Sequence, residues 1–176
     1  MINEAFEKLK YRNLVDWGVI LLGLTDLPNM TEHLHPVIVS DFATTELAKV
    51  GSEDPLFEDI AAIAMSAEDD SSELFERIRK ICKTKQVNIE HSKRKWRLVL
   101  LEYTIETLDS DPIYGLIKLA EFWTTWNWPD NTPACMKNTD KEMSTEEYHS
   151  QSHYDYVIQE HKEWMVIENN LVQKLS

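Results

Sequence analysis

The stretch PLFEDIAAIAMSAEDDSSELFERIRKIC, residues 55–82, decides the fold class by its spacing. Pro55 stands where a first-turn proline belongs, since an N–H there would lack a helical partner, and Leu56, Ile60, Ile63 and Ala64 follow the i, i+4, i+7 pattern of a helix face. Asp70 or Ser71 then caps a second helix, with Leu74, Phe75, Ile78, Ile81 and Cys82 inward and Arg77, Arg79 and Lys80 toward water. Two amphipathic helices joined by EDDSS form an antiparallel pair like one turn of a helical solenoid, although no fixed-period repeat runs through the chain.

The rest of the chain continues the theme. Asn3 to Leu9 reads as a short helix, and NLVDWGVILLGL, Asn13 to Leu24, as a second, with Asn13 able to cap its start. Residues 25–39 hold two prolines and read as a long, partly apolar loop, after which Ser40 or Asp41 caps a helix through Val50 that Gly51 stops. Asn88 caps a longer helix through Leu108. Its first half is basic and its second acidic, the reverse of what the helix dipole favours, so Lys93 to Arg97 should meet a negative neighbour. Asp111 before Pro112 opens DPIYGLIKLAEFWTTW, with Ile113, Leu116, Ile117, Ala120 and Trp123 turned inward. Trp126 and Trp128 bracket the helix exit before Pro129, which leaves Trp128 the freest of the three for an interface. Ser144 to Glu147 has the form of a capping box, and a long terminal helix to Leu175, bent near Gln151, carries Tyr154, Val157, Ile158, His161, Trp164, Met165, Leu171, Val172 and Leu175 on one face.

Composition agrees. In 176 residues, 43% are hydrophobic and 10% aromatic, too many for disorder, while four glycines and six prolines supply few turns for an all-β fold. The expectation is a single all-α domain, 1–176, of seven or eight helices in partly solenoid-like pairs. Charges from the fourth residue onward, and apolar runs such as Val19 to Leu22 that fall far short of the roughly 20 residues of a membrane span, speak against a leader or a membrane span; with two isolated cysteines, Cys82 and Cys135, read as inert packing residues, the expected location is the cytoplasm.

Charge narrows the function. The net charge is −13, so a surface built to grip nucleic acid directly is not expected. Residues 77–97 hold nine of the 18 basic side chains and a single acid, Glu90, whereas residues 41–76 hold eleven acids against Lys49 alone. An acidic block running into a basic one has two readings: two solvated helical faces that attract each other, or an acidic face that steers a cationic protein into place. On the second reading the contact candidates are Glu53, Asp54, Glu58, Asp59, Glu68, Asp69 and Asp70, with Trp128 and Tyr148 as aromatic anchors.

Catalytic patterns are missing. No G-x-S-x-G, P-loop or dinucleotide glycine pattern occurs, and adjacent acids such as Glu53 with Asp54 or Asp69 with Asp70 fall where helices begin. His149 and His153 have the best metal-like spacing, four residues apart on a helix, but lack the general base of H-E-x-x-H and a third ligand nearby. His33 and His35 share a loop with Glu32, and His161 on the apolar stripe reads as a hydrogen-bonded core histidine. No cofactor, metal or catalytic residue is expected.

Ordered landmarks carry a resemblance: D-W-x-x-x-x-L-G-L at Asp16 to Leu24, the acidic helix pair, K-W-R-L-x-L-L-E-Y at Lys95 to Tyr103, then D-P-x-x-x-L at Asp111 to Leu116 and E-F-W-T-T-W-N-W-P at Glu121 to Pro129. Over residues 10–137 this resembles the bacterial domain of unknown function 2247, and the C-terminal helix, about 145–175, matches in general character. Proteins of this kind are similar to immunity proteins that stand beside polymorphic or contact-dependent toxins. The resemblance therefore implies a non-enzymatic cytoplasmic protein that neutralises a cognate toxin domain of nuclease type, an RNase ahead of a DNase. A helical adaptor without a toxin partner and a metal-dependent enzyme using His149 and His153 are the other two classes.

Overall fold

A computed structural model describes residues 1–25, 27–28, 30–66, 72–137 and 143–175, and among them every regular element is helical. The helices are α1 (Ile2–Tyr11), α2 (Trp17–Leu24), α3 (Pro36–Leu47), α4 (Phe57–Ala64), α5 (Ser72–Thr84), α6 (Ile89–Glu106), α7 (Pro112–Thr125), α8 (Thr145–Tyr148) and α9 (Gln151–Lys174), with a 3₁₀ turn at Ala134–Met136. They cluster into two compact units, Met1–Lys93 and Arg94–Ser176.

In the first unit, α1 buries Ile2, Ala5, Phe6 and Leu9, and α2 buries seven of its eight residues. Asp16 caps α2 by accepting from the Val19 N–H at 2.8 Å, and its carboxylate also takes the Ser92 hydroxyl at 3.0 Å. Asn13 is therefore not the cap of this helix. With φ at 55° it sits just past the end of α1, where the Asn13 N–H donates to the Lys10 carbonyl and the Leu14 N–H to the Leu9 carbonyl. This is the Schellman closure, and asparagine serves it because it tolerates the left-handed region better than most residues. Gln86 after α5 and Asn127 after α7 repeat it at φ 52° and 55°. α3 begins at Pro36, four residues before the expected cap, because His35 accepts from the Val37 N–H through Nδ1 at 3.3 Å and Pro36 occupies the first turn. It packs on α4, with the Ser40 hydroxyl donating to the Ala64 carbonyl at 2.5 Å, and α4 packs on α5, so consecutive helices stack as the paired spacing implied. The caps at Asp70 and Ser71 fall outside the described residues.

The second unit is built on α7 and α9, whose core joins Leu101, Leu116, Leu119, Trp123, Met136, Tyr154 and Val157. Asp111 caps α7 by accepting from the Ile113 and Tyr114 N–H groups, at 2.9 and 3.3 Å. Ile113 and Ile117 point away from this core and are 45% and 48% exposed: the buried stripe of α7 is Gly115, Leu116, Leu119 and Trp123. Gly115 permits close packing, since a Cβ there would stand 2.5 Å from the Tyr154 ring. The terminal segment divides rather than bends: the Ser144 capping box holds α8, and Ser150 caps α9 by accepting from the His153 N–H. That break makes nine α-helices among the described residues where seven or eight were expected. Leu171 and Leu175 are exposed, while the charged Glu168 takes a core position on α9.

Candidate functional site

The acidic block divides by use. Asp59, on the first turn of α4, is 6% exposed; its Oδ1 lies 3.0 Å from Arg77 Nη1 and its Oδ2 2.6 Å from Lys80 Nζ, both on α5. Its charge is thus answered within the chain. Asp54 accepts from the Leu56 N–H at 2.8 Å and shapes the turn entering α4. Glu53 and Glu58 are exposed, and among the described residues neither has an ion pair. Glu68, Asp69 and Asp70 lie outside the described residues.

The basic block is engaged in the same manner. Arg79 pairs with Glu76, Lys85 with Glu46 at 3.9 Å and Lys93 with Glu90, besides the two cations on Asp59. Arg94 grips Glu168 with two parallel bonds, Nε to Oε1 and Nη2 to Oε2, each 2.7 Å. Arg97, 7% exposed, donates to Asn131 Oδ1 at 3.1 Å and lies 3.6 Å from Glu168 Oε1, with its guanidinium about 6 Å from the ring centres of Trp126 and Trp164 (5.9 and 6.0 Å). Asn131 closes the network by donating to Glu168 Oε2 at 3.1 Å. Glu168 is the negative neighbour that the reversed charge order of α6 called for. A buried carboxylate is sustained only by such bidentate and shared partners. Its signal in sequence was a lone acid inside the stripe His161, Trp164, Met165 and Val172.

The tryptophans divide as well. Trp123 is fully buried and donates from Nε1 to His161 Nε2 at 2.9 Å. His161 in turn donates from Nδ1 to the Val157 carbonyl at 2.7 Å, which makes it a neutral, hydrogen-bonded core residue; burial lowers its pKa from the ordinary value. Trp126 is half-buried beside Phe122 and Arg97. Trp128 is 39% exposed and sits at φ 46°, an uncommon conformation for a bulky residue. Tyr148 is half-buried, its ring 5.1 Å from that of His149 and 5.0 Å from that of His153. Trp128 and Tyr148 belong to the second unit, Glu53, Asp54 and Glu58 to the first.

His149 lies at the end of α8 with Nδ1 bonded to the Thr145 carbonyl at 2.9 Å, and His153 falls in the next helix, its pKa lowered by burial and then by the charge of His149. His35 serves as the cap of α3, and His33 and Glu32 are exposed. Among the described residues no three of His, Cys, Asp and Glu converge as a metal site would need. Burial pushes both thiols up to about 11, so Cys82 and Cys135 stay protonated at neutral pH. No described helix is long and apolar enough to cross a membrane.

No curated protein and no solved structure matches the chain. One family does, DUF2247, described as uncharacterized protein conserved in bacteria, and the match runs over residues 6–169, well past Cys135 and through most of α9, where the resemblance had stopped at 137. With nearly the whole of its helical framework covered, the chain belongs to the bacterial family DUF2247.

Proposed function

We propose that this chain is a cytoplasmic immunity protein that binds a cognate bacterial toxin domain of nuclease type, an RNase ahead of a DNase, and blocks its basic substrate-binding surface. One observation carries the reading: among the described residues, at least seven of the nine cations in residues 77–97 (Arg77, Arg79, Lys80, Lys85, Lys93, Arg94 and Arg97) pair with the chain's own carboxylates. The net charge of −13 is therefore left to acids elsewhere, Glu53 and Glu58 among them. A nuclease must present Lys and Arg to phosphates, and an acidic protein can occupy that groove as a polyanion would. The two readings of the charge blocks are thus compatible: Asp59 serves internal attraction, and the unpaired carboxylates around it supply the field that steers a partner.

The test is calorimetry of the purified chain with a candidate cognate toxin domain of nuclease type, at several salt concentrations. Tight 1:1 binding that weakens steeply with salt supports the reading. Binding indifferent to salt, or none, overturns it.

A further inference from the structure

The start of α3 at Pro36 places Ile38, Asp41, Phe42 and Thr45 at i, i+3, i+4 and i+7, one stripe of the helix. This stripe is not the fully buried one, Val39, Ser40 and Ala43, from which Ser40 bonds the Ala64 carbonyl of α4. It faces Phe6, Glu7 and Lys10 of α1 and Val15, and together these residues enclose a groove of about 210 Å³. We propose that the groove is an anchor site for one arginine side chain of a basic protein partner. The identity of that partner rests on the toxin-binding reading above.

Size, lining and charge point the same way. Sites for small molecules and cofactors span roughly 300–1,000 Å³, so this groove is matched to a single large side chain, the kind of pocket an interface hot spot fills. Its walls are apolar, with two phenylalanines, a valine and an isoleucine, and its polar members are Glu7, Asp41, Lys10 and Thr45. Among the described residues no hydrogen bond or ion pair engages the carboxylates of Glu7 and Asp41. An aromatic or aliphatic anchor would strip water from both carboxylates and return nothing. Arginine answers each part of the lining: its stem lies along the apolar walls, its guanidinium stacks on a phenyl face, and its donors meet the carboxylates. Lysine suits less well, because its ammonium is more strongly hydrated and does not stack as a plane. Lys10 opposes any cation and so provides an internal control.

The experiment is a two-dimensional NMR titration of the full chain with the peptide acetyl-Gly-Arg-Gly-amide and its neutral citrulline counterpart. The backbone amides of Val15, Phe42 and Thr45 report, as does the indole N–H of Trp17, which is buried, has no hydrogen-bond partner among the described residues and packs edge-on against Phe42 at 5.0 Å. The arginine peptide should shift these signals and the citrulline peptide bind more weakly. Asp41→Asn and Glu7→Gln should each weaken binding about two- to fivefold, the worth of an exposed ion pair, and Lys10→Ala should strengthen it. Equal binding of both peptides, or shifts confined to other acidic residues, overturns the proposal; so does tighter binding of free agmatine than of the peptide, which would make the occupant a small amine. The two readings fail separately. A toxin that binds the Asp41→Asn, Glu7→Gln variant as tightly as the parent removes the groove and keeps the toxin. Peptide binding at the groove with no toxin binding in calorimetry keeps the arginine site and removes the toxin.

Discussion

His161 is held neutral by two bonds that leave no room for a second proton: Nδ1–H donates to the Val157 carbonyl and Nε2 accepts from Trp123. Protonation would set an N–H at Nε2 against the indole N–H. Burial lowers the pKa of His161 in the folded chain, whereas an unfolded histidine titrates near about 6.5. The unfolded state therefore binds the proton more readily, so the stability due to the neutral form is present above about pH 6.5 and is lost as pH falls below it. Chemical denaturation between pH 7.5 and 5.5 should show stability falling with acid, and His161→Gln should flatten that slope; an unchanged slope would contradict the assignment. Gly115 allows a second prediction at this scale. Alanine would gain about 1 kcal/mol of helix propensity. Against this stands overpacking of about 1–3 kcal/mol and the loss of the bond from the Tyr154 hydroxyl to the Asp109 carbonyl, worth about 1 kcal/mol more. Gly115→Ala should lower Tm in a thermal melt despite being the better helix former. His161 was legible as a core histidine from its place on an apolar stripe, but Gly115 was not, because a helical glycine without its neighbour looks like a mere weakness.

Among the described residues, three of the helices end with a non-glycine residue at positive φ, and this habit explains where the chain's element boundaries were legible. Asp111, Ser144 and Asn88 were read correctly as starts because each is followed by the pattern a start requires, proline or a capping glutamate or an amphipathic run. Asn13 was not, since asparagine is favoured both at the start of a helix and just past its end, and only the distance to Asp16 decides between them. The same ambiguity hid the first turn of α3, where a histidine rather than a serine or aspartate supplies the cap. Gln86 lacks even asparagine's tolerance of the left-handed region. Gln86→Gly should therefore stabilise the chain by about 0.5–1 kcal/mol, since relief of strain exceeds the entropy that glycine adds to the unfolded chain. For a protein of this length that corresponds to a rise in Tm of about 1–4 °C. A fall in Tm would mean that the glutamine side chain makes compensating contacts.

Over the whole molecule, charge decides more than shape. The split between an acidic and a basic stretch was plain in sequence, and so was the demand of α6 for a negative neighbour. What the sequence withheld was the identity of that neighbour, Glu168, 74 residues away from Arg94. No local pattern reports a partner at such separation. The candidate contacts divide on the same principle: Asp59 is buried under Arg77 and Lys80, while Glu53 and Glu58 are exposed. Reversing the last two, Glu53→Lys with Glu58→Lys, should leave the melting curve nearly unchanged, as solvated charges contribute little to folding. It should slow association with the toxin by about tenfold or more at low salt, with the deficit shrinking as salt rises. Stopped-flow rates that do not change on this reversal would place the steering field elsewhere.

Neutralisation of a toxin is read most directly from the growth of bacteria that express a candidate cognate nuclease toxin domain, with and without the chain. Co-expression should restore growth, and the Glu53→Lys, Glu58→Lys variant should restore it less well. Continued killing in cells that accumulate folded, soluble chain would contradict it.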